Sequence, residues 1–130
     1  MLTDKLTRKE FIVYLAFDKG TIVGYLLIAQ SIAGVSYAEW LGVDKENQMR
    51  GIASSLLSVW EKDAFAEGVH SLHLWTTKNN VEFYEKRGFT CGGMFPKAWH
   101  GEDDYLIYKT LREPEEKNFL KDYLQRIKKK

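Results

Sequence analysis

The sequence predicts a single α+β domain, because strand-like runs alternate with helix-like segments along a chain of ordinary domain length. The strand signal is an alternation of apolar and polar residues, and the helix signal is the recurrence of apolar residues at helical spacing. The 130 residues are 45% hydrophobic, which supplies enough apolar material for one compact core. We therefore expect one domain over residues 1–112 and an added C-terminal amphipathic helix over residues 113–130.

The first predicted elements form an antiparallel hairpin. Residues 11–17 and 21–29 are strand-like, and the short turn between them ends in Gly20, which can supply a positive φ. Residues 36–43 alternate loosely and predict a third strand that is buried on at least one face.

A polar loop and the longest helix pattern follow the third strand. Apolar residues recur at helical spacing from Ala53 to Ala64, and Gly68 is placed to end the helix as a left-handed cap. Free N–H groups at a helix start, with the positive end of the helix dipole, attract anionic groups such as phosphate. The segment before the helix, named here the 48–53 loop, therefore predicts a phosphate site. It consists of Gln48, Met49, Arg50, Gly51, Ile52 and Ala53.

The rest of the chain alternates again between strand and helix. Residues 69–76 predict a strand, and residues 105–110 predict a last strand. Pro114 opens the C-terminal helix, with acidic residues in the first turn and lysines at the end, a charge order that suits the helix dipole. The apolar stripe of that helix consists of Phe119, Leu120, Tyr123, Leu124 and Ile127.

Two segments resemble motifs of the GNAT superfamily, the acyl-CoA-dependent N-acetyltransferases. The 48–53 loop is similar to the family's [QR]-x-x-G-x-[GA] pyrophosphate loop, reached through a strand that ends at Val43. Residues 80–89 resemble the later helix that ends in Tyr-x-x-x-Gly-Phe. The two better-known phosphate loops, G-x-x-x-x-G-K-[ST] and G-x-G-x-x-G, are absent from the sequence. Over roughly residues 11–111 the resemblance implies a mixed, mostly antiparallel sheet flanked by helices, with acetyl-CoA as cosubstrate.

The resemblance also implies catalytic roles for two residues. Glu39 is the candidate base for the amine, although Tyr37 occupies the position where many members carry their glutamate, so a solvated strand carboxylate remains the alternative. Tyr84 matches the family tyrosine that resembles a general acid for the CoA thiolate. A backbone N–H on a strand edge splayed from its neighbour would polarise the carbonyl. The implied cofactor-binding residues are Leu41, Gly42, Val43, Gln48, Met49, Arg50, Gly51, Ile52, Ala53, Asn80 and Tyr84.

The chain departs from the family pattern at its start, since about ten residues precede Phe11. We expect the usual N-terminal strand and helices, which form one wall of the acceptor site, to be missing. Either the acceptor groove is then unusually open, or the C-terminal helix covers it or meets a second subunit in a homodimer. Residues 99–105 form a predicted loop whose three carboxylates either attract a cationic amine or are solvated.

Two functions follow as hypotheses. The first is transfer of an acetyl group from acetyl-CoA to a primary amine of a small molecule or peptide. The second is a catalytically weak CoA-binding module that acts as a regulatory or oligomerising subunit. Cys91, in another predicted strand, is interpreted as a packing residue because no histidine is adjacent to it.

Charge and composition narrow the classes of partner. A formal net charge of +1 gives no overall field that favours nucleic acid. No apolar run approaches the ~20 residues that span a bilayer, and the first residues lack a secretory core, so we expect a cytoplasmic protein that binds neither membrane nor nucleic acid. With one cysteine and three histidines, the sequence shows no spacing for zinc, and no metal is expected.

Overall fold

The computed structural model describes residues 2–7, 11–114, 124–125 and 127–128. Its centre is a seven-stranded sheet in the order β1-β2-β3-β4-β5-β7-β6, accompanied by two α-helices. The strands are β1 Leu2–Thr7, β2 Phe11–Asp18, β3 Thr21–Ala29, β4 Val35–Val43, β5 Ser71–Thr76, β6 Thr90–Trp99 and β7 Glu102–Thr110, and the helices are α1 Ile52–Ala66 and α2 Lys78–Glu85.

The sheet is mixed and mostly antiparallel, as the sequence analysis predicted. Only β4 and β5 run parallel, and α1 connects them, because parallel neighbours need a long crossover connection. All other neighbouring strands are antiparallel. The boundaries moved by a few residues from those predicted, which is usual for element ends.

The core lies between one face of the sheet and the two helices. Helix α1 buries its apolar stripe on strands β2 to β4, and Trp60 is its largest fully buried side chain. The indole N–H of Trp60 donates a hydrogen bond of 2.8 Å to the hydroxyl of the buried Ser36 on β4, so no polar atom of the pair is left unsatisfied. Gly68 follows α1 with φ +88°, which confirms the predicted left-handed end.

The chain begins with a strand, and the prediction that the N-terminal strand is missing was wrong. Strand β1 pairs antiparallel with β2, from Leu2 opposite Phe17 to Thr7 opposite Ile12. Its sequence has apolar residues only at Leu2 and Leu6 and therefore gives a weak local signal for a strand. Pairing with β2, and not local preference, stabilises the strand. Only residues 8–10 separate β1 from β2, too few for the α-helices that the family pattern places there.

The prediction of a loop over residues 99–105 was also wrong. Strand β6 continues to Trp99 and β7 begins at Glu102, so that only His100 and Gly101 form the turn. Both turn residues have positive φ, +50° and +82°, as tight two-residue hairpin turns require. The predicted C-terminal helix over residues 113–130 lies mostly outside the described residues. Residues 124–125 and 127–128, which are described, have helical backbone, and the helix as a whole stays a prediction.

Candidate active site

A gap opens between β4 and β5 halfway along the sheet. Their parallel pairing runs from Val35 opposite Ser71 to Ala38 opposite Leu74 and then stops. Strand β4 nevertheless continues to Val43, where it stays paired with β3 alone. The backbone N–H and C=O groups of β4 that face the gap therefore have no strand partner there and can bind an extended ligand.

Glu39 lies at the start of this gap, in a β-bulge. Trp40 is opposite Leu27 and Ala38 is opposite Ile28, so Glu39 is the extra residue of β4. Such a bulge interrupts the alternation of side chains along a strand. As a result Glu39 and Trp40 are both exposed, although strict alternation would turn one of them toward the helices. A carboxylate at this position can take a proton from a bound ammonium group.

The 48–53 loop connects the far end of β4 to α1. The side-chain amide of Gln48 donates to the carbonyl oxygen of Val43 at 3.3 Å. The Arg50 guanidinium donates to Asp18 at 3.0 Å and to Asn47 at 2.5 Å. Gln48 thus ties the loop to β4, and Arg50 ties it to the turn between β2 and β3.

The backbone at the start of α1 can bind an anion. Gly51 is the N-cap, with φ +80°, and the first helical bond runs from the N–H of Ser55 to the carbonyl of Gly51 at 3.0 Å. The N–H groups of Ile52, Ala53 and Ser54 precede that bond and lack helical partners. A Cβ at Gly51 would meet no atom within 4 Å, so open space lies directly beside this backbone.

The residues of the 48–53 loop differ in which of their groups a ligand could contact. The side chain of Ile52 is buried in the core and anchors the helix, so that only its backbone can contact a ligand. Met49 has a fully exposed side chain and a positive φ of +67°, an unusual conformation for a residue other than glycine. Ala53 lies at the helix surface, half-buried.

Tyr84 is buried near the end of α2. Its ring lies edge-on to Phe83 at 5.1 Å and to Phe89 at 5.8 Å between centroids. Burial raises the pKa of Tyr84 to about 12, so the phenol is protonated at neutral pH and can donate a hydrogen bond. Asn80, on the first turn of the same helix, is exposed and is available to a ligand.

Arg87 and Lys109 join α1, α2 and β7, a contribution that the sequence analysis missed. Arg87 donates to the hydroxyl of Ser54 and to the carbonyl of Phe83, both at 2.6 Å. Lys109 forms an ion pair with Glu61 at 2.9 Å and donates to the carbonyl of Arg87 at 3.1 Å. In the sequence, Arg87 occupies a variable position of the Tyr-x-x-x-Gly-Phe motif, and nothing local indicates its partners.

A surface pocket of about 440 Å³ lies beside these joined elements, between α1 and the end of α2. It is close to the 48–53 loop through Ser54, which belongs to the first turn of α1. The pocket carries two cationic side chains and two hydroxyl groups. Its lining residues are Ser54, Leu57, Ser58, Glu61, Lys86, Arg87 and Phe89.

Aromatic side chains surround the gap on the sheet face that the helices leave open. The ring of Tyr37 stacks on that of His73 with 4.7 Å between centroids. The rings of Trp40 on β4 and Trp99 on β6 have centroids 6.1 Å apart. Burial raises the pKa of Tyr37, and the charges of Glu39 and Asp104 add to that rise. Trp40 and His73 were not among the site residues predicted from the sequence. The available signal was a large aromatic residue on the polar face of an alternating strand.

Among residues 2–7, 11–114, 124–125 and 127–128, no group of three or more histidine, cysteine, aspartate or glutamate side chains is arranged to hold a metal ion. Within the same residues, no helix has the length and apolar character needed to cross a membrane.

Comparison with known proteins gives one family match and many similar folds. The profile of the Acetyltransferase (GNAT) family matches residues 2–89. An IAA acetyltransferase from Bacillus cereus is 17% identical, with a TM-score of 0.74 and 79% of each chain covered. A GNAT family acetyltransferase from Elizabethkingia anophelis with acetyl-CoA bound is 18% identical, with a TM-score of 0.73, covering 78% of this chain and 77% of that one.

A third similar structure is an aminoglycoside 6'-N-acetyltransferase complexed with coenzyme A. It is 21% identical, with a TM-score of 0.72, and the alignment covers 83% of this chain and 77% of that one. Identities at this level show a shared fold alone. No curated protein matches the sequence significantly.

Proposed function

This chain belongs to the GNAT family of acetyltransferases, and from that premise we propose that it transfers the acetyl group of acetyl-CoA directly to a primary amine of a small molecule or peptide. The gap between β4 and β5 is the observation that carries the proposal. Glu39 lies at one end of the gap, just beyond the last pair of Ala38 and Leu74. The 48–53 loop follows the other end of β4, at Val43.

Acetyl-CoA fits this arrangement in two parts. The pyrophosphate would accept hydrogen bonds from the free N–H groups at the start of α1, where the helix dipole also favours an anion. The pantetheine arm would lie in the gap along residues 41–43 of β4, whose backbone groups have no partner on that side. Asn80, which is exposed on the first turn of α2, would contact the same arm.

The transfer requires one bond to form and one to break. The ammonium loses a proton to Glu39, directly or through water, and the amine nitrogen then attacks the thioester carbon. The carbonyl oxygen is stabilised by a backbone N–H of β4. The C–S bond breaks, and its electron pair leaves with sulfur as the CoA thiolate.

Tyr84 is proposed to stabilise that thiolate by a hydrogen bond. Its pKa of about 12 lies well above that of an ordinary thiol, ~8.5. Complete transfer of the phenolic proton is therefore unfavourable, whereas donation of a hydrogen bond to sulfur is favourable. The proton that finally neutralises the thiolate comes from solvent.

The experiment that tests the function measures the release of free CoA from acetyl-CoA with a panel of primary amines. We expect amine-dependent release, and we expect Glu39→Gln to lower kcat by about 10²–10⁴-fold, the usual contribution of a general base. The difference in kcat between Glu39→Gln and the native protein should become smaller as pH rises toward the amine pKa of ~10.4, because the acceptor then loses its proton without a base.

Glu46→Gln is the matched control, because Glu46 is an exposed carboxylate in the short turn before the 48–53 loop. It should leave turnover unchanged. An unchanged kcat in Glu39→Gln would remove Glu39 from the mechanism. Retained CoA binding without transfer to any amine would instead favour the CoA-binding module.

A further inference from the structure

Four large aromatic rings are exposed together on the open face of the sheet. They are Trp40 on β4, Trp75 on β5, and Phe95 and Trp99 on β6, with 49%, 37%, 57% and 52% of their surfaces accessible. Single exposed apolar residues are ordinary, but a contiguous group marks a binding surface.

The rings form two contacts around the mouth of the gap. Trp40 and Trp99 are 6.1 Å apart with planes inclined by 59°, and Trp75 and Phe95 are 6.4 Å apart at 72°. Both arrangements are the tilted or edge-on packing that aromatic pairs prefer. Because β4 and β5 have separated beyond Ala38 and Leu74, the contact between Trp40 and Trp99 reaches across the gap.

Carboxylates accompany the rings on the same face. Glu39 adjoins Trp40 in the bulge, and Asp104 is directly opposite Phe95 in the β6–β7 pairing, so their side chains share a face. Both charges act on the phenol of Tyr37. Burial also raises the pKa of Asp104, and a nearby cation would favour its charged form.

Rings and carboxylates together favour one ligand chemistry. An ammonium group is attracted both to the face of an indole ring and to a carboxylate. The apolar body of such a ligand would bury aromatic surface that is now exposed. A ligand with many hydroxyl groups would find few hydrogen-bonding partners among these rings.

We propose that this surface, formed by Glu39, Trp40, Trp75, Phe95, Trp99 and Asp104, is the acceptor site, and that the acceptor is a primary amine on an aromatic or alkyl body. The inference rests on the proposed acetyl transfer and adds the substrate class. Its position suits that role, because the amine would lie at the end of the gap where the thioester is expected.

The test compares 2-phenylethylamine with ethanolamine, two primary amines that differ in the body they carry. We expect kcat/KM to favour phenylethylamine by roughly tenfold or more, mainly through KM. Trp99→Ala should reduce that preference toward unity. Asp104→Asn should raise KM for both amines, because it removes charge and leaves the rings in place.

Met94→Ala is the matched control, since Met94 is exposed on β6 beside Phe95 but points to the other face of the strand. It should leave the preference intact. A binding readout is independent of turnover: phenylethylamine added to the CoA complex should change tryptophan fluorescence, and Trp99→Ala should weaken that response.

The outcomes separate this inference from the function on which it rests. Equal kcat/KM for the two amines, or a preference that survives Trp99→Ala, overturns the substrate class while leaving acetyl transfer in place. Transfer to no amine in the panel overturns both. A dimer that dissociates in Trp99→Ala, without preference between amines, would assign the surface to a second copy of the chain.

Discussion

At the scale of single residues, the environment of each side chain decides what chemistry it can perform. Glu39 is exposed because a bulge interrupts β4, and an exposed carboxylate is free to exchange protons with a ligand. Tyr84 is buried among aromatic rings, and the same burial that raises its pKa to about 12 keeps it a hydrogen-bond donor. The two residues therefore suit opposite roles in a proton-dependent transfer.

We predict that Tyr84→Phe lowers kcat by about a hundredfold, the usual effect of removing one donor from a developing anion. The ring is retained, so packing against Phe83 and Phe89 and the affinity for acetyl-CoA should persist. Steady-state kinetics with calorimetric titration would check both quantities. Tyr108→Phe, at an exposed tyrosine on β7, is the control. A full rate in Tyr84→Phe would exclude the donor role.

At the scale of elements, a glycine with positive φ lies at each end of α1, and the two glycines have different surroundings. Gly51 precedes the helix with φ +80° and Gly68 follows it with φ +88°. A Cβ would meet no atom within 4 Å at either glycine. Only Gly51 lies beside free N–H groups and the positive end of the helix dipole. Substitutions at the two glycines therefore separate backbone strain from ligand binding.

We predict that Gly51→Glu weakens acetyl-CoA binding by about a hundredfold, because its carboxylate would repel the pyrophosphate at short range. Gly68→Glu carries a comparable backbone cost of about 1–2 kcal/mol and should bind normally. Calorimetric titration measures the affinities, and thermal unfolding shows whether the two variants lose similar stability. Equal affinity in both variants would place the pyrophosphate elsewhere.

At the scale of the whole molecule, the described residues give the two faces of the sheet different surroundings. Both α1 and α2 pack on the face that holds the core, while the opposite face carries exposed aromatic residues. The connection between β1 and β2 is too short for the helices that the family pattern places there. The predicted C-terminal helix, with an apolar stripe that must be buried somewhere, is expected to pack on this domain or on a second copy.

We predict that the protein forms a homodimer through that helix. Sedimentation at micromolar concentration should show a dimer for the full chain and a monomer for a chain that ends at Pro114, which retains every contact described from β1 to β7. The shortened chain should keep its affinity for acetyl-CoA, because the 48–53 loop and the gap are unchanged. A monomer in both proteins would contradict the helix-mediated dimer.

The parts of the fold that sequence could predict are those with local causes. The spacing of apolar residues predicted α1, and Gly68 predicted the left-handed conformation that follows it. The parts that were missed depend on distant partners. Strand β1 is stabilised by pairing with β2, the bulge at Glu39 is visible only in the register with β3, and the contact between Trp40 and Trp99 joins strands far apart in sequence.

The N-terminal strand also has a consequence for solubility. An uncovered strand edge offers a row of hydrogen-bonding groups to other molecules, and a long apolar edge invites polymerisation. Strand β2, with sequence FIVYLAFD, would be such an edge if it were uncovered. Strand β1 shields it and presents outward a short segment in which Asp4 and Lys5 are exposed. Six largely polar residues thus replace an apolar strand at this edge of the sheet, which makes pairing with other chains less favourable there.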